Sequence, residues 1–156
     1  MKLELKENMY VRTKDGIIAK VDYIEDNIIS FDKDLYITYD TSIDFLEKDN
    51  LERIVKASYK IIRILEEGDY VNGRKVYQVG YNFQDDFVLK MSKSNYDDFI
   101  YPNEIETIVT KEQFEQMAYK VGEWLDGMVR IMGKNRNYKF CIRHYNFNNK
   151  HYYTFF

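Results

Sequence analysis

Short runs in which apolar and polar residues alternate recur along the chain as far as Thr110, separated by turn-forming residues. Such alternation is typical of strands with one buried face, and pairs such as Asp15-Gly16 are typical of tight turns. The first part of the chain is predicted to hold a tight helical turn at residues 49–52 and five strands, at residues 10–12, 17–24, 28–31, 35–39 and 53–57. This order of elements predicts an SH3-like barrel.

The same order of elements recurs in the next part of the chain. Strands are predicted at residues 69–71, 74–81, 87–91 and 99–101, followed by a tight turn at residues 102–104 and a closing strand at residues 107–110. At the start of the repeat Tyr10 aligns with Tyr70, and near its end Leu51 aligns with Ile105. We therefore predict a mainly β protein with a few short helices, built from two tandem SH3-like barrels.

A helix is predicted directly after the second closing strand. Thr110 and Gln113 have the spacing of a capping box. In this motif the side chain of the first residue accepts from the backbone N–H of the fourth, and the side chain of the fourth accepts from the backbone N–H of the first. Apolar residues then follow at helical spacing, namely Phe114, Met117, Ala118 and Val121. The pattern predicts a helix over residues 111–120, with Gly122 as its stop.

The last part of the chain is predicted to extend the β structure. Residues 128–132 and 138–145 form a predicted hairpin, and residues 152–156 form a final strand. This extension is either a degenerate third unit or a three-stranded addition to the second barrel. The predicted domains are residues 1–58, 59–121 and 122–156, and residues 59–65 read as either a short connecting helix or a strand.

The charge of the chain is unevenly distributed. Residues 127–156 carry six cations and no acidic residue, whereas residues 1–126 carry a net charge of −9. Uneven charge affects the choice of partners more than it affects the fold. No apolar run is long enough to cross a membrane, the start lacks the apolar core of a signal peptide, and a single cysteine is typical of cytosolic proteins. We therefore expect a location in the cytoplasm and no membrane partner.

The basic tail also carries many aromatic residues, and this combination suits binding of a nucleotide or single-stranded nucleic acid. Aromatic faces stack on bases while cations neutralise phosphates. The candidate binding residues of the tail are Trp124, Arg130, Arg136, Tyr138, Lys139, Arg143, Tyr145, Lys150 and Tyr152. The structural alternative places alternate aromatic residues in a core and the cations in water. Trp124 has a structural alternative of its own, as a plug between the second barrel and the tail.

Four acidic residues mark a second candidate surface, an acidic face on the second barrel. They occur as two pairs, Asp85-Asp86 and Asp97-Asp98, at predicted hairpin tips. Neither pair belongs to a loop with the ligand spacing of an EF-hand, so we expect no metal ion there. His144 and His151 are better explained as surface residues than as metal ligands. No catalytic triad, phosphate-binding loop or carboxylate pair stands out, so the sequence favours a protein that is not an enzyme and has no cofactor.

Three stretches together resemble small proteins encoded by phages and prophages of low-GC Gram-positive bacteria. These stretches are residues 8–17, 67–73 and 108–121, and the resemblance covers roughly residues 8–121. It implies a tandem β fold and a protein that acts by binding host machinery, in the manner of inhibitors of CRISPR effectors. The acidic body is then expected to engage a basic surface of a host defence protein in the host cytoplasm.

Two other functions remain open from the sequence. In one, the basic aromatic tail binds a nucleotide signal or single-stranded nucleic acid, and the protein is a sponge or adaptor. In the other, the protein is a structural or assembly component of a phage particle and forms homo-oligomers by edge pairing.

Overall fold

The chain folds into two compact units, Met1–Leu65 and Glu66–Phe156. A computed structural model describes residues 4–32, 35, 37, 38 and 43–115, together with the backbone of residues 124–125, 128–129, 142–147 and 150–155. The boundary between the units follows Leu65, whereas the sequence pattern predicts it after residue 58. Residues 61–64, for which a helix and a strand are both open from the sequence, form a 3₁₀ helix at the end of the first unit.

The first unit is one five-stranded antiparallel sheet. Its strands are β1 (Tyr10–Thr13), β2 (Ile18–Glu25), β3 (Ile28–Phe31), β4 (Phe45–Glu47) and β5 (Ile54–Ser58), and 3₁₀ helices occupy Lys48–Arg53 and Ile61–Ile64. The strand order is β4-β3-β2-β1-β5. The start of β2 pairs with β1, and its end pairs with β3 after a register shift between Val21 and Tyr23. Along the chain, four strands, a 3₁₀ helix and a last strand follow one another in the predicted order of elements.

Alternation along the strands builds the core of the first unit. Side chains that point to one face are buried together, and this core includes Val11, Ile17, Ala19, Val21, Ile29, Phe31, Ile43, Leu46 and Ile54. Complete burial of an aliphatic or aromatic side chain contributes about 1.5–3 kcal/mol. The apolar positions that identify the strands in the sequence are therefore also the positions that stabilise the sheet.

The fourth strand of the first unit lies at Phe45–Glu47, and the strand predicted over residues 35–39 is not observed at the described residues of that stretch. Of the described residues in that stretch, only Thr38 forms an isolated bridge. Leu46 pairs with Ile29 and is buried, while its two neighbours in β4 are exposed. The Phe31 N–H donates to the Asp44 carbonyl, and this bond brings β4 into place beside β3. Three residues with one buried side chain are too short a pattern to stand out in the sequence.

The second unit repeats this plan with shorter strands. Its elements are β6 (Tyr70–Val71), β7 (Arg74–Lys75), β8 (Gln78–Tyr81), β9 (Phe87–Lys90), β10 (Phe99–Ile100), a 3₁₀ helix (Pro102–Glu104) and β11 (Ile108–Val109). They form two sheets, β10-β9-β8 and β11-β6-β7. The order matches that of the first unit when β7 and β8 together take the place of β2. The first unit has a register shift within β2, and the second unit has an interruption at residues 76 and 77, between β7 and β8.

Hydrogen bonds before the first strand of each unit correspond to each other. The Asn8 N–H donates to the Val21 carbonyl, and the Gly68 N–H donates to the Val76 carbonyl in the same way. Asn8 and Gly68 both have a positive φ, 70° and 94°. Glycine adopts this left-handed region without steric cost, and asparagine is among the side chains that tolerate it best. The predicted alignment of the two units therefore holds at this end of the repeat.

The predicted alignment of Leu51 with Ile105, near the closing strand, is wrong. Ala57 pairs with Val11, and Ile108 pairs with the equivalent Val71, so Ala57 is the equivalent of Ile108. In the same register Ile54 is the equivalent of Ile105, and each of these two donates a backbone hydrogen bond at the end of a 3₁₀ helix. An alternating apolar pattern does not specify its own register, and the cross-strand hydrogen bonds choose it.

A helix, α1, begins after β11 at residue 111 and is described as far as residue 115. The predicted capping box is confirmed. The Gln113 N–H donates to Thr110 Oγ1 at 3.3 Å, and the Thr110 N–H donates to Gln113 Oε1 at 3.0 Å. Phe114 stacks on Tyr70 with ring centroids 4.0 Å apart, which fixes α1 against β6. The remainder of the predicted helix lies outside the described residues.

The last described strands form a four-stranded antiparallel sheet. They are β12 (Trp124–Leu125), β13 (Met128–Val129), β14 (Ile142–Phe147) and β15 (Lys150–Phe155), in that order across the sheet. Pairing of β13 with β14 agrees with the predicted hairpin, and β15 provides the final strand. The backbone of β15 passes beside β7 of the same unit.

The mainly β fold is confirmed by these antiparallel sheets. The predicted closure into barrels is not observed among the described residues. The sheet of the first unit ends at β4 on one side and at β5 on the other, and these two strands do not pair with each other.

Candidate binding face of the second unit

Two loops of the second unit, at opposite ends of β9, contribute side chains to one cleft on the sheet β10-β9-β8. The first loop, residues 82–86, joins β8 to β9. It is folded around Asn82, whose Oδ1 accepts hydrogen bonds from the backbone N–H of Gln84 at 2.9 Å and of Asp86 at 3.0 Å. Asparagine side chains stabilise turns in this way. The loop therefore has a defined shape, in which Phe83 is exposed.

The second loop, residues 92–98, joins β9 to β10 and is folded by the same kind of bond. Ser92 Oγ accepts from the Asn95 N–H at 3.1 Å, and Asn95 Oδ1 accepts from the Asp97 N–H at 3.1 Å. The base of the loop is closed by the Met91 N–H, which donates to the Asp98 carbonyl at 2.8 Å. This loop presents Tyr96 in the way that the first loop presents Phe83.

The aromatic residues of these loops are unusually exposed. Phe83 is 92% exposed and Tyr96 is 74% exposed. With the half-exposed Tyr81 they line a cleft of about 380 Å³. The floor of the cleft is a row of cross-strand neighbours, Gln78, Lys90 and Phe99, one from each strand of the sheet. Exposed aromatic clusters of this kind mark interaction surfaces.

The four acidic residues of the predicted acidic face separate into two environments. Asp85, Asp86 and Asp97 lie in the two loops at the surface. Asp98 is largely buried and accepts two hydrogen bonds from the guanidinium of Arg74, one of them 2.9 Å long. This bidentate pair ties the second loop to β7. Asp98 therefore stabilises the fold through Arg74, while the other three aspartates remain at the surface.

The surrounding segment reinforces the acidic character of the loops. Residues 66–126 contain 13 acidic and 6 basic side chains. Two of the basic residues, Lys90 and Lys93, line the aromatic cleft itself. The face thus combines acidic tips, aromatic side walls and lysine amines within the cleft.

A second, larger cleft of about 890 Å³ adjoins the first and shares Tyr77, Ser92 and Lys93 with it. At its far end Lys111 Nζ lies 2.7 Å from Glu66 Oε1. This hydrogen bond raises the pKa of Lys111, against a smaller opposing effect of burial. The buried Asp69 accepts from the backbone N–H of both Glu66 and Lys111, at 2.7 Å and 2.9 Å. These contacts join the start of α1 to the start of β6.

The predicted binding residues of the tail are only partly placed. Arg130, Arg136, Tyr138 and Lys139 lie outside the described residues, and Trp124 lies on β12. The register of β14 and β15 pairs Tyr145 with Tyr152, Arg143 with Thr154 and Phe147 with Lys150. Because paired and alternate residues share a face of a hairpin, the positions of Arg143, Tyr145, Lys150 and Tyr152 fall on the same face.

The sequence-based predictions do not include the aromatic residues of the two loops. The signal that identifies them is a shared motif, an asparagine followed by an aromatic residue and then two aspartates, in Asn82-Phe83-Gln84-Asp85-Asp86 and Asn95-Tyr96-Asp97-Asp98. An aromatic residue inside a turn motif has no strand position from which to reach a core. Its exposure can be anticipated for that reason.

In the described part of the chain, no group of three or more His, Cys, Asp or Glu side chains is arranged to hold a metal ion. The same residues contain no helix long and apolar enough to span a bilayer. No protein-family model, curated protein or solved structure matches the chain. The assignment of the candidate site therefore depends on the geometry of the two loops and the cleft alone.

Proposed function

We propose that the protein is a non-enzymatic binding protein that attaches to a basic surface of a partner protein through the two loops of the second unit. The observation that carries this proposal is the high exposure of Phe83 and Tyr96 in the loops that hold Asp85, Asp86 and Asp97 at the surface. The free chain leaves two large aromatic side chains in water, and a partner would remove them from it.

The physical roles of the two kinds of side chain differ. A few buried aromatic residues supply most of the binding energy of a typical protein interface. Charges at the rim of an interface act mainly on the association rate and on the choice of partner. Phe83 and Tyr96 would therefore anchor the complex, and the acidic tips would steer it toward a basic surface. Since Lys90 and Lys93 line the cleft, an apolar or acidic side chain of the partner suits the cleft itself.

The partner class that we propose is a host defence protein with a cationic nucleic-acid channel. An acidic surface can occupy such a channel because it imitates the charge of phosphates. Support comes from the excess of acidic residues over residues 66–126 and from the resemblance to phage proteins. The protein would then act as an inhibitor by occupying the channel, with no chemical step of its own.

The test is affinity capture from a lysate of a low-GC Gram-positive bacterium with matched variants of the full chain. We expect one captured protein that binds the native chain at micromolar concentration or below. The double variant Phe83→Ala/Tyr96→Ala should weaken that complex by at least about tenfold, or about 1.4 kcal/mol. The control is Tyr23→Ala/Phe45→Ala, which removes two exposed aromatic residues from the first unit.

Charge reversal tests the steering role separately. Changing Asp85, Asp86 and Asp97 to lysine should slow association and reduce its dependence on salt. The same reversal at Glu25, Glu47 and Glu52, three exposed acidic residues of the first unit, should have little effect. Equal losses in both sets, or no complex at micromolar concentration, would overturn the proposal.

A second candidate function is binding of a nucleotide or single-stranded nucleic acid by the β14–β15 hairpin. The observation that favours it is the register, which gathers two tyrosine and two cationic positions on one face. Stacking on the tyrosines would quench their fluorescence, and the affinity would fall steeply with salt. Replacement of Arg143 and Lys150 by glutamate should abolish such binding and leave the protein complex of the first candidate unchanged.

A further inference from the structure

We propose that the outer edge of β5 in the first unit binds an extended acidic peptide segment of a partner protein by strand addition. The site is an open groove along residues 55–60 and Arg63, which we call the β5 groove. It belongs to the unit that takes no part in the proposed function. The inference is therefore independent of the binding face on the second unit.

The position of β5 in the sheet provides the backbone part of the site. The strand order β4-β3-β2-β1-β5 ends at β5, and among the described residues β5 pairs only with β1. In an antiparallel strand, alternate residues direct their N–H and C=O groups to opposite edges. One set of β5 groups therefore faces away from the sheet, in the arrangement that an added peptide strand pairs with.

The side chains along the groove define the chemistry of the ligand. Lys56, Lys60 and Arg63 line it, and no acidic residue does among the described residues. This concentration of positive charge stands on a chain whose net charge is −3. A peptide that carries aspartate or glutamate complements the groove, whereas a basic peptide does not.

Exposed apolar side chains in the same groove add a contact for every second peptide residue. Val55 is half-exposed and Tyr59 is 56% exposed. Val55 lies at the register shift in the pairing of β5 with β1, and Tyr59 follows directly at the end of β5. Because side chains of an extended peptide alternate between two faces, acidic residues can meet the cations while alternate apolar residues meet Val55 and Tyr59. The expected ligand therefore alternates acidic and apolar residues.

The second unit shows what the equivalent positions look like when they serve packing instead. There the closing strand β11 is buried at both residues, and Thr110, the equivalent of Tyr59, is a buried helix cap. Lys111, the equivalent of Lys60, pairs with Glu66. The same positions therefore form polar packing contacts in the second unit, whereas in the first unit they form an edge with exposed aromatic and cationic side chains.

An acidic peptide is a better match for this groove than the two other plausible occupants. A nucleic acid also seeks cations, but it gains most from several stacked aromatic residues, and the β5 groove offers only Tyr59 among the described residues. A second copy of this chain would have to present an acidic strand edge of its own. Both are treated as outcomes of the test.

The experiment measures fluorescence anisotropy of a labelled peptide of about ten residues that alternates glutamate and valine, titrated with the full chain. We expect saturable binding that weakens by at least about tenfold in Lys60→Glu/Arg63→Glu. The matched control is Lys6→Glu/Lys48→Glu, which reverses two exposed lysines of the first unit outside the groove and should bind the peptide as the native chain does. Circular dichroism checks that each variant is folded.

Two further peptides decide the binding mode. A peptide that alternates lysine and valine should not bind. The acidic peptide with every second backbone nitrogen methylated should lose binding in one of its two methylation registers, because only one register of N–H groups faces β5. Loss in neither register, equal binding to the control variant and the groove variant, or no saturable binding would overturn the proposal. So would tighter binding of an oligothymidine, or a peptide-independent dimer at the same edge.

Discussion

At the scale of single residues, Asn72 joins segments of the second unit that lie far apart in the chain. It occupies the first position of the hairpin turn between β6 and β7 with a φ of 52°, and Gly73 follows with 77°. This Asn-Gly turn is the preferred type for two-residue hairpins. The side chain then donates to the Glu104 carbonyl and accepts from the backbone N–H of Glu106 and Thr107. One residue therefore shapes the hairpin and also positions the start of β11.

Replacement of Asn72 separates these two roles. Asn72→Ala should lower the free energy of unfolding by about 1–3 kcal/mol, because it leaves backbone groups of residues 104–107 without their partner. Asn72→Gly keeps the left-handed backbone at low cost and loses only the hydrogen bonds, so it should cost less than the alanine variant. Chemical denaturation measures both. Asn103→Ala, at an exposed position in the adjacent 3₁₀ helix, is the control, and an equal loss there would contradict the interpretation.

At the scale of elements, each unit places a short helix directly after its closing strand. The first unit has the 3₁₀ helix Ile61–Ile64 after β5, and the second has α1 after β11. In the first unit the buried Arg12 donates to the Ile64 carbonyl at 3.0 Å, so the helix end is held by β1. In the second unit the capping box of Thr110 and Gln113 and the carboxylate of Asp69 hold the start of α1. The same place in the fold is secured by different chemistry.

The cap of α1 can be tested by substitution. Thr110→Ala removes the side-chain acceptor for the Gln113 N–H and should destabilise the second unit by about 1 kcal/mol. Thr110→Ser keeps the hydroxyl and should retain most of the native stability. Thermal unfolding followed by circular dichroism compares the two variants. Equal stability of the alanine and serine variants would show that the cap contributes nothing measurable.

At the scale of the whole molecule, the duplication predicts that the two units have separate cores. Val11 and Val71 occupy equivalent positions, each fully buried in its own unit. We expect Val11→Ala to lower the stability of the first unit and Val71→Ala that of the second, each by about 1–3 kcal/mol. Hydrogen exchange of amides in β1 and β6 reports on each unit separately. A single transition that both variants shift equally would contradict separate cores.

Much of the strand pattern follows from sequence because its causes are local. Alternation at residues 17–24 and the turns Asp15-Gly16 and Asn72-Gly73 each involve neighbours in the chain, and the structure has β2 and both turns there. The capping box of Thr110 is equally local, and its two residues are predicted correctly. Prediction fails at β4 and at the alignment of the closing strand, because both depend on which strand lies next to which.

What the sequence by itself determined is the mainly β fold, the repeated order of its elements and the excess of acidic residues over residues 1–126. These properties depend on composition and on patterns that span a few residues. Only the tertiary structure decided that Phe83 and Tyr96 line one cleft and that Asp98 turns inward to Arg74 of β7. It also decided that β5 ends the sheet. Pairing of this kind arises from contacts between distant segments, and no local pattern encodes it.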